Sequence, residues 1–313
     1  MPYFSVIVPL FNKEPFILET LKSIINQSFQ DFEVILVDDG STDFGLQEVK
    51  KLNDPRLKVF SQENKGAGVT RNNGINMANA PYIALLDADD SWHENHLLEL
   101  KKQIDMFPNA GLYCNNYEIF YSELVSRKAQ FNFEFSKDCI IVKDYFKASI
   151  INSVAWTSAV AFSKNKFEDV GGFDPKLKTA QDLDLWIRFA LKYEVSFNPN
   201  ITMSYKFHIT NSLSKNENEY NLIRYYFINK FREEEKTIPS LKLYLDINRY
   251  SLAIRSKLNG QKELCEKVKK DINPKNLNWK QKILLQQPKF ILKCTKRLQG
   301  FLIKKKLYLT SYK

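Results

Sequence analysis

The chain has no sign of disulfide architecture: its four cysteines (Cys114, Cys139, Cys265, Cys294) are far apart and form no CxxC pair. With no N-terminal leader pattern either, a reducing cytosolic compartment is expected. No apolar run approaches bilayer length, which excludes a spanning helix as the organising element. Two nucleotide fingerprints are missing as well. There is no GxGxxG after the first strand-like run and no GxxxxGK[ST], which argues against dinucleotide oxidoreductases and P-loop ATPases. Neither internal repeats nor collagen-like or low-complexity stretches are visible. Acidic residues also vanish after Asp271, where eleven basic ones follow.

What is present is a 313-residue chain with 44% apolar residues and a formal charge of +10, enough for a large core. The charge is lopsided. From Lys215 onward 24 Lys and Arg face 9 Asp and Glu, leaving the first 214 residues with 22 against 27. Two parts with different partners are implied.

Four strand-like runs alternate with helical patterns in the first ninety residues. Phe4–Leu10 reads as a buried strand and 15–26 as a helix carrying Phe16, Ile17, Leu21, Ile24 and Ile25. Strands at 33–37, 57–60 and 82–86 follow, separated by helices near 44–52 and 67–78. This alternation predicts an α/β fold with a doubly wound, mostly parallel sheet flanked by helices. Such sheets bind ligands at the carboxyl ends of their strands, which collects residues 9–12, 38–42 and 87–90 in one crevice. The last of these is the most informative: an apolar run ends in Asp87-Ala88-Asp89-Asp90, three carboxylates that repel unless a cation compensates them. Asp90 reads as a support for this loop or as a cap of the next helix. Farther on, 156–162 reads as a strand, Gly171–Pro175 as a turn and 182–192 as an amphipathic helix, with Asp184 on its surface. Beyond His208 the pattern is mainly helical.

In order and spacing, Ser5–Lys13, Val37–Asp43, Asn64–Gly66, Arg71–Ile75, Leu86–Asp90, Gly171–Asp174 and Gln181–Trp186 resemble the inverting family 2 glycosyltransferases of the GT-A fold. The resemblance covers about residues 3–215. It implies a catalytic domain over 1–214, with a nucleotide-binding half (1–90) and an acceptor half (91–214), followed by a basic helical region over 215–313. It also implies transfer of a hexose or N-acetylhexosamine from a UDP-sugar to an acceptor hydroxyl, in polysaccharide, lipopolysaccharide or glycoconjugate synthesis.

Carried over by position, Pro9, Phe11, Asp38, Asp39 and Ala88 would belong to the nucleotide-sugar site, with Phe11 flanking the uracil and Asp39 accepting from its N–H. Lys65 and Arg71 would meet the nucleotide or diphosphate. Asp87 would take the ribose side, and Asp89 with His208 a Mn²⁺ or Mg²⁺ ion. Asp182 would be the base that deprotonates the acceptor, and Trp156 and Gln181 would lie at the acceptor. Gln181 departs from the Glu usual in the family, and Lys206 from an Arg. His93 and His96 read as surface or acceptor-rim residues. A non-catalytic sugar-nucleotide binding module is the alternative that the departure at Gln181 keeps open.

Residues 277–309 interleave leucines, isoleucines and phenylalanines with lysines and arginines. Such a segment suits an anionic membrane surface, consistent with a peripheral enzyme on the cytoplasmic face that handles glycan or lipid-linked acceptors. No zinc-finger, recognition-helix or RNA-recognition signature supports nucleic acid as a partner.

Overall fold

A computed structural model describes residues 1–207 and 220–312. Strand and helix alternate through β1 (Phe4–Leu10), α1 (Glu14–Ile25), β2 (Phe32–Asp38), α2 (Gly45–Lys50), β3 (Leu57–Ser61), α3 (Ala67–Asn76) and β4 (Tyr82–Leu85). Next come β5 (Ser91–Trp92), α4 (His96–Met106), β6 (Leu112–Ser122), β7 (Val125–Lys128), β8 (Ile140–Ile141) and α5 (Tyr145–Ala148). A 3₁₀ turn at Thr157–Ala159 leads into β9 (Val160–Ser163), α6 (Lys164–Asp169), α7 (Gln181–Lys192) and β10 (Val195–Lys206). The C-terminal region contains α8 (Asn221–Asn229), α9 (Glu234–Thr237), α10 (Pro239–Asn259), α11 (Lys262–Lys270), α12 (Trp279–Gln286) and α13 (Lys289–Lys304).

One sheet runs in the order β3-β2-β1-β4-β9-β6-β10-β5, with β7 on β6 and β8 on β10. Its first four strands are parallel, and β9 joins them antiparallel. The chain steps outward from β1 to β3 and then returns to the other flank of β1 as β4. That reversal opens a crevice beyond the carboxyl ends of β1 and β4, where a ligand can meet backbone from both. Strands β1 and β2 are sealed on both faces, in accord with their near-continuous apolar runs. Helix α3 lies close on them at Gly74, where an added Cβ would stand 2.7 Å from the Ile7 Cγ2 and 3.3 Å from the Val37 Cγ2.

The strand read at 156–162 begins only at Val160. Residues 157–159 form the 3₁₀ turn instead, because their polar side chains are engaged with the crevice rather than a sheet face. The C-terminal helices share the sheet's apolar core through Phe227, Leu241, Tyr244, Leu245 and Leu252. The proposed boundary at 214/215 falls outside the described residues.

Candidate active site

Strand β1 is followed by Phe11, which is 44% exposed at the crevice rim. The next residue, Asn12, takes a positive φ of 51°. Its amide oxygen accepts from the Thr42 N–H at 2.8 Å, while its own N–H donates to the Ser41 hydroxyl. The loop after β1 is thereby tied to the loop after β2. Pro9 is partly buried within β1, opposite Val37. Asp38 accepts from the Ser41 N–H at 3.2 Å. Asp39 is buried and accepts from the N–H groups of Lys65 and Gly66 at 2.8 and 2.9 Å and from the Gln62 amide at 2.8 Å. It anchors the 62–66 loop, and Lys65 itself projects into solvent.

Arg71 lies on α3 but is only 5% exposed, with its guanidinium 5.5 Å from the Phe173 ring. One nitrogen donates to Asp87 at 2.5 Å, while Nε and Nη1 have no partner among the described residues. Buried unpaired donors are costly, so this pair of N–H groups invites an anionic ligand.

The turn after β4 is built around Asp90. Burial, followed by the charges of Asp89 and Asp87, pushes the Asp90 carboxyl well above the ordinary range. It accepts from the Ser158 hydroxyl at 2.6 Å and from the Lys206 N–H at 3.4 Å, so it supports the loop and caps no helix. The same Ser158 oxygen accepts from the Asp87 N–H at 3.1 Å. Thr20 from α1 lies with its hydroxyl 3.0 and 2.8 Å from the carbonyls of Ala88 and Asp90. Ala88 is buried beneath.

Burial also pushes Asp89 up, against the pull of Lys13, whose ammonium contacts the carboxylate at 2.5 Å. Asp87 and Asp89 are therefore each matched by a protein cation, Arg71 and Lys13. Carboxylate oxygens are the hard donors that Mg²⁺ or Mn²⁺ takes, and crowded acid raises the local affinity for a divalent ion. The residues fit such an ion as a partial ligand set. Among the described residues no three Asp, Glu, His or Cys side chains converge on one position, so further oxygens would have to come from a bound ligand. His208, the other expected ligand, lies outside the described residues.

Asp182 occupies the first turn of α7 behind Ala180, whose φ of 57° turns the chain into the helix. It is not the N-cap. Its carboxylate accepts from the Thr157 hydroxyl at 3.4 Å. Tyr244 from α10 is buried nearby; burial first, and then the Asp182 charge, raise its hydroxyl above the usual tyrosine range. Gln181 is buried with its side-chain oxygen unpartnered and packs near Gly68. Trp156 is half-buried between Tyr117 and Tyr205, at ring distances of 5.2 and 4.4 Å.

Two readings from the sequence need correcting. Asp184 is fully buried, held by Arg188 at 2.6 Å and by Lys230 at 2.8 Å from the C-terminal region. Periodicity alone placed it outside because Lys230 arrives from a distant segment. His96 is also fully buried, stacked on Trp92 at 4.2 Å with its Nδ1 2.7 Å from the Thr202 hydroxyl. Burial lowers its pKa to about 3, so it is a neutral core residue rather than part of a rim. The sequence reading missed Lys13, Thr20, Thr157, Ser158, Tyr244 and Lys230. None lies in a pattern that separates it from ordinary loop or helix residues.

Known proteins resemble the chain over this same region. The family described as "Glycosyl transferase family 2" matches residues 5–171. WcaA of Escherichia coli K12, named for colanic acid biosynthesis, is 32% identical over 196 residues, covering 61% of this chain and 67% of its own. TuaG of Bacillus subtilis 168, named for teichuronic acid biosynthesis, is 29% identical over 221 residues, covering 69% and 83%. Against three further curated glycosyltransferases, from Rickettsia species, the chain spans only 36–42% of their length. Among solved structures, S. aureus TarS 1–349 superposes with a TM-score of 0.65 at 20% identity, over 96% of this chain and 92% of that one. Its complex with UDP-GlcNAc gives 0.56 over 86% and 89%. At that identity the likeness establishes the GT-A fold.

Proposed function

The chain belongs to glycosyl transferase family 2 and is a glycosyltransferase; we propose that it moves a hexose or N-acetylhexosamine from a UDP-sugar to an acceptor hydroxyl, with inversion, in the synthesis of a cell-surface polysaccharide, lipopolysaccharide or glycoconjugate. In this reading residues 1–214 carry the catalysis and 215–313 form a basic helical region that holds the enzyme at the inner face of the cell membrane. The acceptor is a glycan or a lipid-linked glycan. Relatives named for colanic and teichuronic acid biosynthesis support the polysaccharide setting.

One observation carries the assignment of the site. Thr157 and Ser158, consecutive in one 3₁₀ turn, contact Asp182 on one side and the Asp87–Asp90 turn on the other. Motifs almost a hundred residues apart are thereby registered against each other, as a displacement at one carbon atom requires. Phe11 offers the uracil an apolar face, with Pro9, Asp38 and Asp39 shaping its loop. The free Arg71 donors and Lys65 take the diphosphate. Asp87 receives the ribose, with Ala88 beside it. Asp89, with His208 as the resemblance implies, would hold a Mn²⁺ or Mg²⁺ ion, which would supply charge neutralisation for the leaving UDP.

Asp182 accepts the proton of the acceptor hydroxyl as that oxygen bonds to the anomeric carbon and the bond to UDP breaks. The Thr157 hydroxyl orients Asp182. Trp156 supports the incoming sugar ring, beside Gln181.

The test is UDP release from a panel of UDP-sugars with Mn²⁺, Mg²⁺ or EDTA, for the wild type, Asp89→Ala and Asp182→Asn. The reading expects one donor to be turned over only with metal. Asp89→Ala should abolish turnover. Asp182→Asn should bind the donor normally and transfer about 10²–10⁴-fold more slowly. An Asp182→Asn enzyme as fast as the wild type would remove the base assignment, and absence of both turnover and UDP binding would sink the donor class.

A further inference from the structure

Helix α13 has more apolar surface than its packing uses. At 3.6 residues per turn its side chains divide into three arcs, each about 100° wide. Leu292, Leu302 and Ile303 form the inner arc, with Leu292 only 4% exposed in the packing of α13 on α10. Phe290, Ile291, Leu298 and Phe301 form a second arc that faces solvent, at 75, 39, 54 and 58% exposure. Lys289, Lys293, Lys296, Arg297 and Lys304 fill the third. A helix that merely capped the fold would need one apolar stripe; the second is unpartnered and bordered by five cations. Among the described residues no helix is long and apolar enough to cross a membrane.

The segment after α13 reaches the β6–β7 hairpin. Its Tyr308 hydroxyl donates to the Ser126 carbonyl at 3.0 Å, and its ring lies under Arg127 at 4.9 Å. This fastens α13 to the β6–β7 hairpin, whose tip residue Leu124 is 87% exposed. From Tyr308 the ring contacts pass to Tyr121 (5.9 Å), Phe207 (5.5 Å), Tyr205 (6.2 Å) and Trp156 (4.4 Å). The segment that follows α13 is thereby joined to Trp156 by a chain of aromatic contacts.

We propose that the outer stripe of α13 inserts into the headgroup region of an anionic bilayer, with Leu124 beside it, and that this docking presents the Trp156 rim to acceptors embedded in the same bilayer. The lipid-borne acceptor rests on the glycosyltransferase reading above, and the docking deepens the membrane placement proposed there by naming the surface that makes it. Charge complementarity selects the occupant. The five cations suit anionic headgroups, and the phenylalanines between them suit acyl chains, which a nucleic acid backbone would leave in water.

The test floats the full chain with phosphatidylcholine vesicles, with and without phosphatidylglycerol, at low and high salt. Two exposed-surface variants accompany it: Phe290→Ser with Phe301→Ser, and Lys293→Gln with Lys296→Gln and Arg297→Gln. The wild type should float with anionic vesicles only, and the triple variant should partition about 100-fold more weakly. The phenylalanine variant should lose the binding that survives high salt. Both variants should turn over a water-soluble acceptor at the wild-type rate and lose transfer to an acceptor presented in the vesicles. Unchanged flotation of the phenylalanine variant would overturn insertion. Equal flotation with neutral vesicles, self-association through this stripe, or duplex DNA binding without vesicle binding would each overturn the lipid assignment. Equal loss with soluble and vesicle-borne acceptors would overturn the presentation of the rim. Flotation without any UDP release would leave docking standing and count against the reaction instead.

Discussion

Replacing Ser158 by alanine tests the central junction of the site. Ser158 is fully buried, donates to the Asp90 carboxylate at 2.6 Å and accepts from the Asp87 N–H at 3.1 Å. Losing this hydrogen bond costs about 1.5–3 kcal/mol where Asp90 is ionised, and stranding the N–H adds about 1 kcal/mol. A total near 3 kcal/mol is a large share of a typical stability of about 5–15 kcal/mol. In a chain of this size it lowers Tm by roughly 4–5 °C. The pH dependence has a definite sign. Because the folded pKa of Asp90 is raised, its contribution is present below the ordinary carboxylate range and is lost as pH rises through the folded value. Removing the donor that best stabilises the ionised form raises that value further. The deficit of Ser158→Ala should therefore be larger at pH 8 than at pH 5. Urea titration at both pH values measures it, with an unchanged m-value as the control for two-state unfolding. UDP affinity should fall in parallel, since the Asp87 turn loses its support. A deficit under about 0.5 kcal/mol at both pH values would refute the argument.

Three further outcomes follow from the packing. Gly74→Ala should destabilise by about 1–2 kcal/mol in thermal unfolding, because a Cβ at 2.7 Å from Ile7 must displace the sheet and this outweighs the helical gain of about 1 kcal/mol. Glu33 is opposed by its own burial, yet Lys58, Ser5 and Asn79 lower its pKa to about 2, so its stabilisation is present above pH 4.5 and lost as pH falls toward 2. Glu33→Gln should cost about 2 kcal/mol at pH 7, allowing for the solvent exposure of Lys58, and the gap to wild type should close near pH 2. Asp184→Ala should cost about 3 kcal/mol by leaving the partly buried Arg188 without its carboxylate, whereas loss of the half-exposed Lys230 in Lys230→Met should cost about 1 kcal/mol. Equal losses in urea titration would show that α7 is not braced in this way.

The parallel half of the sheet was legible because local pattern and tertiary environment agree there. β1 and β2 are buried on both faces, so they are apolar throughout, and the loops after them carry the residues that punctuate strand ends. Asp87, Asp89 and Asp90 stood out in the sequence for a related reason, since several carboxylates at one strand end repel unless something compensates them, whereas Asp182 was singled out by the family resemblance. The turn at 157–159 was misread because Trp156–Phe162 carries the apolar, β-branched content of a strand. Nothing local reveals that Thr157 and Ser158 serve two carboxylate motifs. Asp184 and His96 were misjudged because their burial depends on Lys230 and Thr202, each supplied by another part of the chain.

The sequence by itself determined the strand–helix alternation, the crevice at the β1–β4 reversal, the carboxylates that would fill it and the basic C-terminal end. These follow from short-range periodicity, turn chemistry and charge, all of which act within a few residues. Only the tertiary structure decided which cation faces which carboxylate, that one 3₁₀ turn joins Asp182 to the Asp87–Asp90 loop, and that α13 keeps an apolar stripe to spare. Those outcomes depend on segments that meet only after folding, where the burial of each group is set by its neighbours in space rather than in sequence.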